Sequence, residues 1–196
     1  MKGKPILFSP PMVRAILEGR KTQTRRILKP QPGNNNRIPG KDGTVINISD
    51  PRTTELCKYG QPGDRLWVRE TFRILGSGPG EKIPKSGNHD MVQYFADNDE
   101  SYIDRYRPSI HMPRWASRIN LEITSVRVER LQEISEADSI AEGLTDCGGA
   151  WSISTAKMIS RCVDPRETFR DLWSNINGPG SWTVNPYVWV VEFKRI

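Results

Sequence analysis

The chain has 196 residues, 36% of them hydrophobic, and 29 lysines and arginines against 23 acids. That length supports one elaborated domain with a real core, without disulfide or metal staples. It holds no apolar run near the roughly 18 residues of a membrane span and no apolar signal core after Met1, so a cytoplasmic protein that does not engage a membrane is expected.

In chain order, Ile6-Leu7-Phe8 reads as a short strand. Ser9 is placed as a helix N-cap, with Pro10 and Pro11 in the first turn, where missing N–H groups cost least. Val13, Ile16 and Leu17 give that helix its apolar stripe, and Gly19 ends it. Thr22 to Leu28 follows as a strand. Residues 30–63 are rich in Pro, Gly and Asn and read as a long surface loop with one short hairpin around Thr44 to Ile48. Pro62-Gly63-Asp64 is a turn. Arg65 to Glu70 is then a strand with Leu66 and Val68 on one face and Trp67 and Arg69 on the other. Gly76 to Gly87 is a second loop, Met91 to Ala96 is strand-like, and Pro108 to Pro113 is an extended turn. Ser117 to Leu131 carries two period-two runs broken at Thr124-Ser125, which predicts a bulge. Ser135 opens a helix that stops at Gly143. Residues 144–163 read as irregular. Asp164 caps a helix that buries Phe169, Leu172, Trp173 and Ile176. Tyr187 to Phe193 is the closing strand. The pattern is α+β: a small, mostly antiparallel barrel with short helices at its ends, rather than a doubly wound sheet.

Charge is uneven along this framework. Residues 1–70 hold 14 Lys and Arg against 6 acids, and residues 71–196 hold 15 against 17. The basic part contains Gly19-Arg20-Lys21-Thr22-Gln23-Thr24-Arg25-Arg26, which carries hydroxyls and no acid. Such a segment suits a phosphate-bearing or polyanionic partner, and equally a solvated strand. A threonine hydroxyl needs a base to act as a nucleophile. An unperturbed lysine is only roughly 0.04% neutral at pH 7, but burial and the flanking Arg20, Arg25 and Arg26 would lower its pKa. Lys21 and Thr24 are three apart and face opposite sides of a flat strand, so they converge only if Lys21 lies in the helix-to-strand turn. Arg69-Glu70 either enters a pocket or forms a surface pair. His111 and Trp115 flank Pro113-Arg114, a segment able to stack on a base, although Trp115 also suits a core. Cys57, Cys147 and Cys162 lack Cys-x-x-Cys spacing and are expected as reduced thiols. With only His89 and His111, no metal or cofactor is expected.

Gly19-Arg20-Lys21-Thr22-x-Thr24-x-Arg26 resembles the signature of the ASCH domains, which are PUA-like β-barrels. Pro62-Gly63-Asp64-Arg65-Leu66, Ile134-Ser135-Glu136 through Ala141-Glu142-Gly143, and Val188 to Phe193 are similar to later blocks of that family, in the family's order. The chain looks most like the longer ASCH proteins of phages and prophages. The resemblance implies a single domain over residues 1–196 with insertions at 30–61, 73–113 and 144–163. A compact bacterial member removes acyl groups from the exocyclic nitrogen of cytidine, and its catalytic set falls by motif on Lys21, Thr24 and Glu142. Other members bind RNA or DNA, and a ribonuclease activity is attributed to the family. The resemblance therefore implies a modified nucleoside or single-stranded nucleic acid as partner, with Arg20, Arg25, Arg26, Arg69, Glu70, His111 and Trp115 as candidate binding residues.

Overall fold

A computed structural model describes residues 3–33, 35–40, 43–76, 81–97, 106–155 and 158–196, and the side chains of 153–162 lie outside the described set. In chain order the elements are β1 (Lys4–Leu7), α1 (Pro10–Leu17), β2 (Gln23–Ile27), β3 (Arg37–Pro39), β4 (Val45–Asn47), β5 (Arg65–Arg69), β6 (Phe72–Ile74), β7 (Val92–Tyr94) and β8 (Asn120–Arg130). They continue with α2 (Glu136–Ala141), β9 (Thr145–Asp146), β10 (Trp151–Thr155), β11 (Met158–Cys162), α3 (Pro165–Asn177) and β12 (Tyr187–Arg195). The fold is mixed α+β and built mainly of strands. Among the described residues no helix is long and apolar enough to cross a membrane.

The main sheet has five strands in the order β1-β5-β8-β12-β2. β1 runs parallel to β5, and the other pairs are antiparallel. Alternation along β12 divides the interior. Trp189, Val191 and Phe193 join Ile6, Phe8, Val13, Leu66 and Leu121 in the larger core. Val188 and Val190 face the other way, onto Phe169, Leu172 and Trp173 of α3. Each such buried side chain contributes roughly 1.5–3 kcal/mol relative to exposure, so α3 is held to the sheet by its apolar stripe. A third cluster, with Phe72, Tyr94 and Met112, sits on the β6–β7 pair.

The expected break in β8 is a bulge: Ser125 pairs with Glu192 and Ile123 with Phe193, leaving Thr124 without a partner in the register. Other expectations need correction. Residues 144–163 are not irregular, because β9, β10 and β11 form a three-stranded antiparallel sheet there. β10 alternates apolar and polar residues over only Trp151 to Ser154, and β11 does not continue that alternation, so the run is too short to stand out beside the Gly148-Gly149 turn. Ile176 is 54% exposed, since the stripe of α3 leaves the core after Trp173. Ser9 occupies the N-cap position of α1 without a side-chain capping bond. The hairpin in the first long loop pairs β4 with β3, so its first strand begins earlier than expected. Pro108 to Pro113 contains a turn of 3-10 helix at Ser109–His111. Cys57 is a buried free thiol and Cys147 an exposed one; the Cys162 side chain, like residues 77–80 of the second loop, lies outside the described set.

Candidate functional site

The opening motif turns sharply after α1. Gly19 adopts φ +77°, a left-handed conformation that suits glycine at a helix end. The Lys21 amide then donates to the Ala15 carbonyl at 3.0 Å, and the Thr22 amide to the Ala141 carbonyl at 2.9 Å. Lys21 forms a backbone bridge with Glu142, and regular pairing of β2 begins only at Gln23. Lys21 thus lies in the turn, docked on the C-terminal end of α2. Gly143, at φ +101°, permits that close approach: a Cβ there would sit 2.9 Å from the Ala15 Cβ and 3.0 Å from the Lys21 Cβ.

Around this junction lies a buried charge network. Lys21 Nζ donates to Glu142 Oε2 at 2.7 Å and to the Glu142 carbonyl at 2.8 Å; the two side chains are 0% and 3% exposed. Arg25 Nη1 donates to Glu142 Oε1 at 3.3 Å, and its Nη2 reaches Glu129 at 2.6 Å and Asp138 at 3.0 Å. Arg127 extends the network to Asp138, Glu129 and Glu192. A carboxylate at a helix C-terminus opposes the macrodipole; here two cations on its two oxygens offset that penalty. Burial pushes the Lys21 pKa down from 10.5, Glu142 pulls it back up, and Arg26 and Arg25 add to the depression.

A cleft of about 230 Å³ opens along the free edge of β2. Thr24 stands opposite Val191 and Arg25 opposite Val190, so they occupy opposite faces of the strand. The cleft wraps that edge and meets both, together with Glu142. Its walls include Met12, Tyr59, Phe169 and Trp173. The Thr24 hydroxyl forms no hydrogen bond among the described residues, although Thr24 is only 3% exposed. Lys21 does not line the cleft; it lies behind Glu142. A second cavity of about 170 Å³ shares Met12, Glu142 and Leu172 with the first and includes Arg20. Glu142 therefore stands between two openings.

The other candidates divide between this site and elsewhere. Arg20 pairs with Glu18 and donates to the Gly143 carbonyl at 2.7 Å. Arg26 lies over the Phe8 ring at 5.2 Å and donates to the Leu7 carbonyl at 2.6 Å, bridging the two edge strands of the sheet. Arg69 stacks on Trp67 at 4.7 Å, and Glu70 is held by Arg118. Trp115 leans on the third core cluster and donates to the Pro84 carbonyl at 3.0 Å, and His111 is exposed on its 3-10 turn. None of Arg69, Glu70, His111 and Trp115 lines either cavity at Glu142. The cleft also gathers Lys29, Lys58 and Tyr59, which carry no motif in the sequence. Glu129 and Asp138 carry no motif either, because their role depends on β8 and α2 both meeting Arg25 of β2. Among the described residues, no group of three or more His, Cys, Asp or Glu is placed to share a metal ion.

No protein-family model, curated protein or solved structure matches the chain.

Proposed function

We propose that this protein is an ASCH-type hydrolase with a PUA-like barrel, and that it removes the acyl group from the exocyclic amide of a modified cytidine. The observation that carries this reading is the free Thr24 hydroxyl in the same cleft as Glu142, with Lys21 buried against Glu142 at 2.7 Å. Thr24 Oγ1 attacks the acyl carbonyl, and its proton passes to the Lys21–Glu142 pair through Glu142, the member that lines the cleft. That proton is returned to the exocyclic nitrogen as its bond to the acyl carbon breaks. Water then hydrolyses the Thr24 ester, releasing the carboxylic acid and restoring the hydroxyl. The aromatic walls, Tyr59 and Trp173, suit a planar base. The barrel part of the proposal draws support from Arg26, which spans the gap between β2 and β1.

Incubation with acetylcytidine tests it: cytidine accumulates with the wild type and not with a folded Thr24→Ala variant. The basic excess of residues 1–70 supports a second reading, a non-catalytic RNA- or DNA-binding module, or a ribonuclease using the same cleft. Tight binding that weakens steeply with salt, without acyl release, selects that family of readings.

A further inference from the structure

The charges of the cleft are distributed in two ways. Arg25, at its inner end, is cancelled by three carboxylates. Arg26, Lys29 and Lys58 also line the cleft, and none of them has a carboxylate within ion-pairing distance among the described residues. Arg26 spends one nitrogen on the Leu7 carbonyl, and its Nε is buried without a hydrogen-bond partner among the described residues. An unsatisfied buried guanidinium N–H is costly and calls for an explanation, of which a bound anion is one. Glu142 is the single acid among the lining residues. Lys29 and Lys58 additionally line an adjoining cavity of about 180 Å³, walled by Ile38, Pro39 and Trp189. They stand on the divide between the two spaces.

From this asymmetry we infer that the ligand of the cleft is a phosphorylated nucleotide rather than a free nucleoside, with its phosphate held by Arg26, Lys29 and Lys58. The inference rests on the proposed function for the identity of the base. The phosphate requirement stands on the three uncancelled cations alone. An uncharged, planar acylated base belongs at the Thr24–Glu142 end. A phosphate belongs where lysine and arginine donors converge without competing acids. The adjoining cavity gives room for a second unit beyond that phosphate, so a mononucleotide and a nucleotide within a strand present the same chemistry to the rim.

Isothermal titration calorimetry with cytidine, cytidine 5′-monophosphate, cytidine 3′-monophosphate and a cytidine-containing dinucleotide tests this without requiring turnover. At least one phosphorylated ligand is expected to bind about tenfold or more tighter than cytidine, an advantage of ~1.4 kcal/mol. A gain with a monophosphate assigns a free nucleotide; a gain confined to the dinucleotide assigns a strand. The Lys29→Ala/Lys58→Ala double variant should bring the ratio of phosphorylated to unphosphorylated affinity close to one. A Lys82→Ala/Lys85→Ala control, with the same loss of charge at exposed positions outside the cleft, should preserve it. Equal affinity for all four ligands, or a ratio unchanged in the double variant, overturns the inference. Release of cytidine from acetylcytidine is decided separately, so loss of the phosphate preference leaves the hydrolase reading standing, and loss of turnover leaves the phosphate preference measurable.

Discussion

Glu142 and Glu70 are both buried carboxylates held by cations, yet they differ in what their surroundings leave open. Glu70 is gripped through both oxygens by Arg118 at 2.9 and 3.0 Å. Arg118 in turn pairs with Asp97 and lies 3.9 Å from the Tyr94 ring centroid. Both Glu70 oxygens accept from Arg118, and four of the five Arg118 N–H groups are engaged by the two carboxylates. Glu142 is also held through both oxygens, but it faces two cavities, and the Thr24 hydroxyl in the same cleft forms no hydrogen bond among the described residues. Burial and ion pairing are therefore common to both carboxylates; the open cleft and the hydroxyl without a partner among the described residues single out Glu142 as the candidate.

The sharpest way to break this comparison is to remove each carboxylate in turn. Glu142→Ala leaves the Lys21 ammonium buried without an acidic partner and should cost about 3–5 kcal/mol by urea unfolding, with activity abolished. Glu70→Ala leaves Arg118 its second acid, Asp97, so the loss should be smaller, about 1–3 kcal/mol, with activity per folded molecule retained. Equal loss of activity in both variants would erase the distinction. Thr24→Ala should lower kcat by about 10²–10⁴-fold with little change in the unfolding midpoint, while Thr24→Ser keeps part of the activity. Gly143→Ala combines backbone strain with a clash against Lys21 and Ala15 and should destabilise by about 1–3 kcal/mol. A crystal structure of it would show Lys21 displaced from Glu142.

The smallest effects are in pH dependence, and they have opposite signs in the two regions. Burial depresses the Lys21 pKa, so the folded state gives up its proton before the unfolded state does. Stability from this group is complete above 10.5 and is lost as pH falls through the lower folded value. Burial raises the Glu70 pKa, so its contribution is complete below 4.5 and is lost as pH rises through the higher folded value. Lys21→Met should remove the alkaline slope of stability against pH, and Glu70→Gln the acidic one.

Much of the framework was legible because it rests on local signals. Gly19 and Gly143 mark helix ends, Thr124 marks the bulge, and the apolar run of Tyr187 to Phe193 marks the interior strand β12. The strands β10 and β11 are not, since the alternation of Trp151 to Ser154 is short and is not continued in Met158-Ile159-Ser160-Arg161-Cys162. Within the site, Lys21 and Glu142 lie 121 positions apart, and only a motif could join them. The required bend at Lys21 was visible from Gly19, whereas the contributions of Lys29, Lys58 and Tyr59 depend on how a long loop returns to the edge of β2. Alternation puts Arg69 on the Trp67 face of β5, but that Glu70 is held by Arg118 from across the sheet is a long-range pairing no spacing rule encodes.

The most direct test of the account is to follow acetylcytidine, or its phosphorylated form, by chromatography in the presence of the protein. Release of cytidine, or of its nucleotide, together with a Thr24-containing peptide carrying the acyl group in a rapidly quenched reaction, is the predicted result. A folded protein that releases neither product contradicts it.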